Sequence, residues 1–245
     1  MRQALLRQRI IIFSVLLAGS VFAAEARQHF AKPKSINIRE ILSGPSAPGS
    51  PETLREMEIV LAKQAARTPE DEARTDREGK WSPFLFDDVL GSWFTEQNLP
   101  CTAAFLDNVG RDTMDVCEAA KKLWFRPRPS LQDKRVHPSV GLPANSSYPS
   151  GHGAYGIVLA TVLAELAPDQ KEQLVQRGKQ IGDDRVLGGV HFPSDVDAAR
   201  ALAPKILARF YGNPEFRAAL EKAKVEFQTV RAQHRLPHPQ KAASR

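Results

Sequence analysis

Three short stretches of the 245-residue chain carry side chains that could act on an anionic substrate. In the first, Ser150, Gly151 and His152 stand shortly before the apolar run IVLATVLAELA. A run that is apolar on every side predicts a buried helix. The N-terminus of a helix presents unpaired N–H groups and a partial positive charge, which suits a phosphate. The alternative is that Ser150 only caps the helix and His152 is a core histidine.

The second stretch, RVLGGVHFPSD, contains three such side chains: Arg185, His191 and Asp195. Gly188 and Gly189 predict the end of one helix, and Ser194 predicts the N-cap of the next. His191 is then expected in a loop, four residues before an aspartate in the first turn of a helix. The Asp195 carboxylate could accept the N–H of one imidazole nitrogen and leave the other nitrogen free as a nucleophile.

The third stretch, KKLWFRPRP, is a cationic cluster at the end of a predicted helix, with Lys121, Arg126 and Arg128. Apolar residues flank these charges, which is unusual on a chain whose body is close to neutral. Because Arg126 lies only two residues from Arg128, we expect Arg126 to face away from the other two. The cluster therefore predicts two cations, Lys121 and Arg128, for the anion site.

The distribution of charge argues against a nucleic-acid-binding domain. The formal net charge is +6, and removing residues 1–26 takes away three arginines and one glutamate, which leaves +4. The segment 228–245 holds four lysine or arginine residues and no acid, so it accounts for that remaining charge. Residues 27–227 are therefore close to neutral, whereas a domain that binds nucleic acid normally has a basic face. We expect no nucleic-acid partner and interpret residues 231–245 as a basic, flexible tail.

The N-terminus has the pattern of a secretory signal peptide. Three arginines precede the apolar run IIIFSVLLAGSVFAA, and small residues follow at cleavage spacing. The apolar core of about 15 residues is shorter than the roughly 20 that a membrane helix needs. An uncleaved anchor is the alternative. We predict that residues 1–26 are a signal peptide and that the mature protein is periplasmic or secreted, without stable membrane insertion.

The rest of the chain has helical periodicity almost throughout. With 42% hydrophobic and 25% charged residues, its composition is that of a globular domain. Alternating strand patterns and Asn-Gly hairpin signals are absent from the sequence. We predict an all-α fold, a single-domain helical bundle over residues 27–230 around a central buried helix. The predicted helices include one that starts after Ser50, the segment WSPFLFDDVLGSWF interrupted at Gly91, a long cysteine-bearing helix that ends at 125, and helices over 151–167, 169–187, 194–211 and from Pro214 onward.

Two cysteines in an exported protein would normally suggest a disulfide. Cys101 and Cys117, however, lie on one predicted helix. Sixteen helical residues span about 24 Å, whereas the alpha carbons of a disulfide lie within about 7 Å. We therefore predict that these two cysteines are not bridged to each other.

Taken together, the three stretches resemble the signature of the PAP2 phosphatase superfamily. The matching motifs are Lys121-x6-Arg128-Pro129, then Pro149-Ser150-Gly151-His152, then Arg185-x5-His191-x3-Asp195. The surrounding segments SYPSGH, LVQRGKQIGDDRVLGGVHFPSDVDAARALA and NPEFRAALEKAKVEF are similar to the bacterial class A non-specific acid phosphatases. That similarity covers roughly residues 95–230 and implies a helical fold and a phosphomonoester hydrolase.

The resemblance also implies a role for each motif residue. His191 would be the nucleophile that forms a phosphohistidine, Asp195 would orient it, and His152 would protonate the leaving group. The phosphoryl oxygens would be held by Lys121, Arg128 and Arg185 and by the backbone at Ser150 and Gly151. Because three fixed cations already stabilise the phosphoryl charge, we expect no metal and no cofactor. The expected partners are small phosphomonoesters, and the sequence is also compatible with a homo-oligomer.

This sequence departs from the family pattern at two positions. Asp184 stands where the family often has serine, and it could pair with Arg185 or point to solvent. Gly153 stands where threonine is common, which would loosen the pocket wall. Two further enzyme classes share the scaffold: vanadium haloperoxidases, and lipid or diphosphate phosphatases, which usually carry several membrane helices. A phosphate-binding protein would not need two histidines and an orienting aspartate. We interpret His29 as a surface residue and Trp81 as a core residue.

Overall fold

The structure is a computed structural model that describes residues 29–235. The predicted signal peptide and the last ten residues of the predicted tail lie outside this range. Within it there are ten α-helices and three short 3-10 turns, and no strand. The helices are α1 Ile38–Ile41, α2 Pro51–Ala66, α3 Pro69–Arg77, α4 Asp87–Leu90, α5 Pro100–Lys121, α6 Pro129–Gln132, α7 Gly151–Leu166, α8 Lys171–Leu187, α9 Pro193–Gly212 and α10 Pro214–Arg235. The all-α prediction is confirmed.

Helix α7 occupies the centre of the bundle, as the sequence predicts. It packs most extensively against α8 and also against α9 and α5. Two glycines allow the closest approach, because a Cβ on Gly156 would lie 2.3 Å from the carbonyl oxygen of Gly178 on α8. A Cβ on Gly178 would lie 2.4 Å from the Gly156 carbonyl oxygen. Side chains at these positions would separate the two helices, which carry His152 and Arg185 at neighbouring ends.

The serine caps at two helix starts are confirmed. The Ser50 hydroxyl accepts from the Thr53 N–H at 3.2 Å, and the Ser150 hydroxyl accepts from the Gly153 N–H at 3.2 Å. The cap predicted at Ser194 is wrong, since α9 begins one residue earlier. There Phe192 occupies the N-cap position, and the carboxylate of Asp195 accepts the Phe192 N–H at 2.8 Å.

The segment WSPFLFDDVLGSWF does not form the predicted helix. It folds as a 3-10 turn, Pro83–Phe86, followed by the single turn α4. The helix stops because Gly91 adopts φ 99°, a left-handed conformation that glycine tolerates and other residues rarely adopt. This correction matters for the site, because the chain just before the segment is left free of helical geometry and reaches α7.

The C-terminal helix continues past the predicted boundary at residue 230. Helix α10 runs to Arg235, and the Arg231 guanidinium pairs with the Asp169 carboxylate at 2.7 and 2.8 Å. Arg231 is buried by this contact, so residues 231–235 extend the helix instead of beginning a flexible tail. None of the described helices combines the length and apolar character that crossing a lipid bilayer requires.

Both cysteines lie on α5, as predicted. Cys117 is a buried free thiol, so no disulfide joins it to Cys101. The prediction that these two residues are not bridged to each other is confirmed. Burial raises the pKa of the Cys117 thiol to about 12, so the group stays protonated and packs as an apolar side chain.

Candidate active site

The start of α7, the end of α8 with the bend that follows it, the end of α3 with residues 79–80, and the segment 122–150 meet at one cavity of about 240 Å³. Its charged or titratable lining consists of Asp76, Lys80, Arg128, His152, Arg185 and His191. A larger surface groove of about 1120 Å³ lies beside α4 and α8, but none of the predicted site residues lines it. The chemistry predicted from the sequence therefore belongs to the smaller cavity, which brings together two histidines and two arginines from separate motifs.

His191 lies in the bend between α8 and α9 and is held on both ring nitrogens. Its Nδ1 lies 3.2 Å from Asp195 Oδ2, and its Nε2 lies 3.2 Å from Arg128 Nη1. Because a guanidinium can only donate, Nε2 accepts and the proton belongs on Nδ1. Burial lowers the pKa of His191 to about 3, although Asp195 acts in the opposite direction. The ring thus keeps a lone pair on Nε2 in mildly acidic solution.

The buried carboxylate of Asp195 is surrounded by donors. It accepts from the Ser147 hydroxyl, from the Phe192 N–H at 2.8 Å and from Arg126 Nη1 at 2.6 Å, in addition to His191. Burial opposes its ionisation, but the hydrogen bond with His191 and the charges of His191 and Arg126 outweigh burial and lower the pKa of Asp195 to about 2. Asp195 is therefore a permanent anion that fixes the tautomer of His191.

His152 faces the same cavity from the first turn of α7 in a different environment. Its Nε2 is buried and has no hydrogen-bond partner, and its ring stacks on Trp81 with centroids 3.7 Å apart. Burial, followed by the charges of Arg185 and His191, lowers the pKa of His152 well below its usual range; a hydrogen bond to the Glu78 backbone acts in the opposite direction. The imidazole is therefore neutral until an anion enters the cavity.

Arg185 is held by the last turn of α3 and by Glu78, the residue that follows this helix. Its Nη2 donates to the Thr75 carbonyl at 2.7 Å and to Glu78 Oε2 at 3.0 Å, while its Nε is buried without a partner. An unpaired buried donor beside the cavity can bind an oxygen of a ligand. Of the two expectations for Asp184, neither holds: its carboxylate pairs with Arg74 at 2.8 and 3.0 Å, away from Arg185 and from solvent.

The other predicted phosphate ligands have local partners of their own. Arg128 donates to the carbonyls of Pro143 and Val190 at 3.1 and 2.7 Å, and it lines the cavity. Lys121 is not part of that lining, and its ammonium donates to the Ser146 carbonyl at 2.6 Å. Burial, together with the charge of Arg128, lowers the pKa of Lys121 to about 8, so this cation persists in acid.

The glycines and serine at the start of α7 serve packing as well as any ligand. The Ser150 N–H donates to the Asp195 carbonyl at 2.9 Å, and its hydroxyl caps the helix. A phosphoryl contact at Ser150 would have to replace one of these bonds. A Cβ on Gly151 would lie 2.8 Å from Met114 Cε, and one on Gly153 would lie 3.1 Å from the Ala199 Cβ. Gly153 therefore faces α9, and the predicted looser pocket wall is wrong.

Sequence reasoning did not find Asp76 and Lys80, which line the cavity, and it misinterpreted Arg126 and Trp81. Arg126 does not face away: its side chain is 1% exposed and contacts Asp195. Trp81 is not a core residue, since it is 43% exposed and stacks on His152. In the irregular segment FRPRP, alternate residues have no fixed direction, so spacing from Arg128 carries no information about Arg126. The stacking partner of Trp81, His152, lies 71 positions away in the sequence, and no local sequence pattern indicates this contact.

Comparisons with known proteins place the chain in a family. Residues 102–213 match the model of the PAP2 superfamily. The chain is 31% identical over 229 residues to a non-specific acid phosphatase of Salmonella typhimurium, which covers 89% of this chain and 91% of the relative. It is 37% identical over 147 residues to a non-specific acid phosphatase of Providencia stuartii, covering 58% and 59% of the two chains. An acid phosphatase of Zymomonas mobilis is 34% identical over 143 residues, covering 57% and 54%.

The chain therefore belongs to the PAP2 superfamily. It is an enzyme of the phosphatase class. The match with the Salmonella protein extends over nearly the whole of both chains, whereas the matches with the Providencia and Zymomonas proteins span just over half of those relatives.

Proposed function

We propose that this protein is an exported, single-domain acid phosphatase that hydrolyses small phosphomonoesters through a phosphohistidine at His191. One observation carries the proposal. His191 Nε2 keeps a lone pair, because Nδ1 is bonded to Asp195, and it lies on the same cavity as the unpartnered Nε2 of His152. A buried nucleophile and a second titratable group on one small cavity are what a two-step displacement requires.

In the first step, His191 Nε2 attacks the phosphorus atom and the bond to the ester oxygen breaks. The leaving oxygen takes the proton of His152, which becomes neutral, and the alcohol departs. In the second step, a water molecule attacks the phosphohistidine and gives a proton to His152. The bond between phosphorus and nitrogen then breaks, His191 regains its lone pair, and orthophosphate is released.

The arginines supply the charge that such a transfer needs. Arg128 Nη1 donates to His191 Nε2, so this donor must move to a phosphoryl oxygen when the nucleophile attacks. The unpartnered Nε of Arg185 is available to a second oxygen. Lys121 adds a nearby positive charge. Fixed cations placed around the equatorial oxygens account for much of the catalysis of phosphoryl transfer.

An acidic working range follows from the two histidines. His191 must keep a free nitrogen, and its pKa is lowered to about 3 by burial, so this condition holds in mild acid. His152 must carry a proton, although burial and neighbouring charges lower its pKa. A bound phosphate monoester places negative charge beside the ring and raises that pKa. Acidic pH therefore favours the protonation state that the reaction uses.

A single assay tests this function. The purified protein should release nitrophenol from p-nitrophenyl phosphate with EDTA present, fastest in acid, and orthovanadate should inhibit competitively because it imitates the transition state. Rapid denaturation in alkali should trap a phosphorylated His191 peptide. Activity that disappears with EDTA and returns with a divalent cation would show that the site needs a metal. Bromide oxidation by peroxide in the presence of vanadate, without ester hydrolysis, would favour a haloperoxidase.

The export proposal has its own test. Expression of the full chain with its first 26 residues should yield a protein that begins near Ala24 or Arg27 in the periplasm or medium. Intact Met1 in a membrane fraction, read by mass spectrometry, would contradict it.

A further inference from the structure

We propose that Arg126, held by Glu56, is a positioning residue that fixes Asp195 and, through it, the nucleophile His191. The inference rests on the proposed phosphohistidine function, but it adds two residues that none of the three sequence motifs contains. Neither residue touches the cavity, so both would act through Asp195.

The first observation is the burial of Arg126 between two acids. Its side chain is 1% exposed, with Nη1 at 2.6 Å from Asp195 Oδ1 and Nη2 at 2.7 Å from Glu56 Oε2. The guanidinium carbon lies 3.9 Å from the centre of the Phe192 ring. An arginine that is bonded on both ends and stacked on a face has one available orientation, so it holds the Asp195 carboxylate in one orientation as well.

The division of the Asp195 oxygens supports the same role. Arg126 takes Oδ1, whereas Oδ2 accepts from the Phe192 N–H and the Ser147 hydroxyl and faces Nδ1 of His191. If Oδ1 lost its partner, the carboxylate would be held through Oδ2 alone and could tilt about it, so its angle to the imidazole would no longer be fixed. The separate assignment of the two oxygens therefore keeps Oδ2 on the nucleophile.

Glu56 connects this arrangement to a helix outside the segment that matches the family model. It lies on α2, and its carboxylate also accepts the N–H and the hydroxyl of Ser194 at 2.6 and 2.9 Å. Ser194 directly precedes Asp195, and its hydroxyl accepts from Arg126 Nη1 at 2.8 Å. Helix α2 thus contacts the first turn of α9 and the arginine at the same point.

The charge of Arg126 should also affect His191. Asp195 favours the protonated imidazole, and a guanidinium bonded to that carboxylate weakens its pull on a second proton. The other charged or titratable groups that act on His191 are Lys121 from α5, Arg128 from the loop 122–150, and His152 from α7. All three are cationic when charged and oppose protonation of His191, whereas the Asp195 carboxylate favours it. Removing Arg126 should therefore let His191 protonate at higher pH.

The chain offers a matched control pair. Arg135 lies on the same loop as Arg126 and pairs with Glu58, two residues from Glu56 on α2, at 3.2 Å. Both side chains of that pair are mostly exposed, 63% and 68%. The two arginines thus join the same two elements, and they differ in burial and in contact with Asp195. An exposed pair of this kind contributes little to stability.

The test compares R126Q, R126K, E56Q and R135Q in full-length protein that has been checked for folding by circular dichroism. We expect R126Q to lower kcat by about 10- to 100-fold, the usual effect of losing a partner that orients a site residue. KM should change little, the acid limb of the rate profile should move to higher pH, and R126K should recover part of the rate. R135Q should match the wild type.

Two outcomes would overturn the inference. A folded R126Q that keeps the wild-type kcat and acid limb shows that Arg126 only fills space, and a uniform loss of rate at every pH shows a folding role. If R126Q does not fold, E56Q takes its place: glutamine keeps the shape of Glu56 but removes the carboxylate charge that pairs with Arg126, so a folded E56Q with the wild-type kcat and acid limb would overturn the inference in the same way. Nitrogen NMR of His191 separates this test from the proposed function: if the wild type lacks phosphatase activity, R126Q should still change the titration of the His191 ring.

Discussion

The two histidines face one cavity, yet the protein holds them in opposite ways. His191 has a partner on each ring nitrogen, and behind it stands a chain of bonded groups from Asp195 to Arg126 to Glu56. His152 has a bare Nε2 and an aromatic face against it. The first arrangement fixes direction and tautomer, as a nucleophile requires. The second leaves Nε2 of His152 able to bind and release a proton, as an acid requires.

The surroundings differ in the same sense. The His191 side is built from the loop 122–150 and the start of α9, and its buried carboxylate is permanently charged. The His152 side is covered by the chain between α3 and the 3-10 turn, where Glu78 holds Arg177 at 2.5 Å and Arg185 at 3.0 Å. Hydrogen bonds thus fix the His191 ring, whereas the chain between α3 and the 3-10 turn Pro83–Phe86 covers the His152 ring. Substitutions on each side should therefore fail in different ways.

The largest expected effect comes from His191→Ala. Losing the nucleophile should reduce kcat by several orders of magnitude for every substrate, as in proteases that lose theirs. No phosphorylated protein should be trapped after denaturation in alkali. Accumulation of phosphoprotein in this variant, at any residue, would show that His191 is not the acceptor.

His152→Ala should have a smaller effect that depends on the leaving group. General acid catalysis contributes about 100- to 10,000-fold, so alkyl phosphates should lose activity by that factor. Nitrophenyl phosphate should lose much less, because nitrophenolate departs without a proton. Phosphoprotein should still form from the nitrophenyl substrate. An equal loss for both classes of ester would remove His152 from the role of acid and end the contrast between the two sides.

Inhibition by inorganic phosphate should reveal proton uptake at His152. Burial lowers the pKa of His152, and a bound anion raises it, so binding takes up one proton at a pH between the two values. In that acidic range, affinity should therefore rise about tenfold for each unit that the pH falls. Lys121, with a pKa lowered to about 8, stays charged there and does not contribute.

Calorimetry in two buffers of different ionisation enthalpy measures this proton directly. The uptake should be close to one in the wild type and absent in His152→Ala. A wild-type protein whose phosphate affinity stays constant over this pH range would mean that His152 does not titrate on binding.

The long elements of the fold could be predicted because their signals are local. Ser50 and Ser150 stand at the first turns that they cap, and α7 is apolar all round because other helices surround it. The start of α9 was misread, since Ser194 suits a cap by its type, whereas the structure begins the helix after Phe192 and Asp195 accepts the Phe192 N–H. The interruption predicted at Gly91 is confirmed, but the 3-10 turn Pro83–Phe86 before it was not predicted.

For the site, spacing was sufficient to find the histidines and arginines that line the cavity, but not Asp76 and Lys80, which also line it, or the groups behind them. Arg128, His152, Arg185 and His191 lie on short motifs of chemically distinctive residues. Arg126, Glu56 and Glu78 are ordinary charged residues, and their importance comes from burial and from partners far away in the sequence. Asp184 shows the same limit, because its partner Arg74 is 110 positions away. Pairings of this kind are decided by the packing of distant segments, which cannot be read from a single sequence.

The smallest expected effect concerns Asp184. It tests whether the covering segment, the chain between α3 and the 3-10 turn Pro83–Phe86, affects only the His152 side of the cavity. The carboxylate of Asp184 is 5% exposed and pairs with Arg74 of α3. Thr75 and Glu78, which follow Arg74 closely in the chain, accept hydrogen bonds from Arg185. Asp184→Asn should lower the free energy of unfolding by about 1–3 kcal/mol, the contribution of a hydrogen bond to a charged group. Asp183→Asn is the matched control, since that carboxylate is 51% exposed and should change stability very little.

The kinetic part of this prediction decides which side is affected. If the pair between Asp184 and Arg74 loosens, the segment that carries Glu78 and Trp81 should shift against His152, while the bonds of Asp195 to His191 and Arg126 stay intact. The rate with an alkyl phosphate should then fall more than the rate with nitrophenyl phosphate, and phosphoprotein should form at an unchanged rate. Slower phosphoprotein formation in Asp184→Asn would mean that the covering segment also positions the nucleophile, and the two sides of the cavity would then be one mechanical unit.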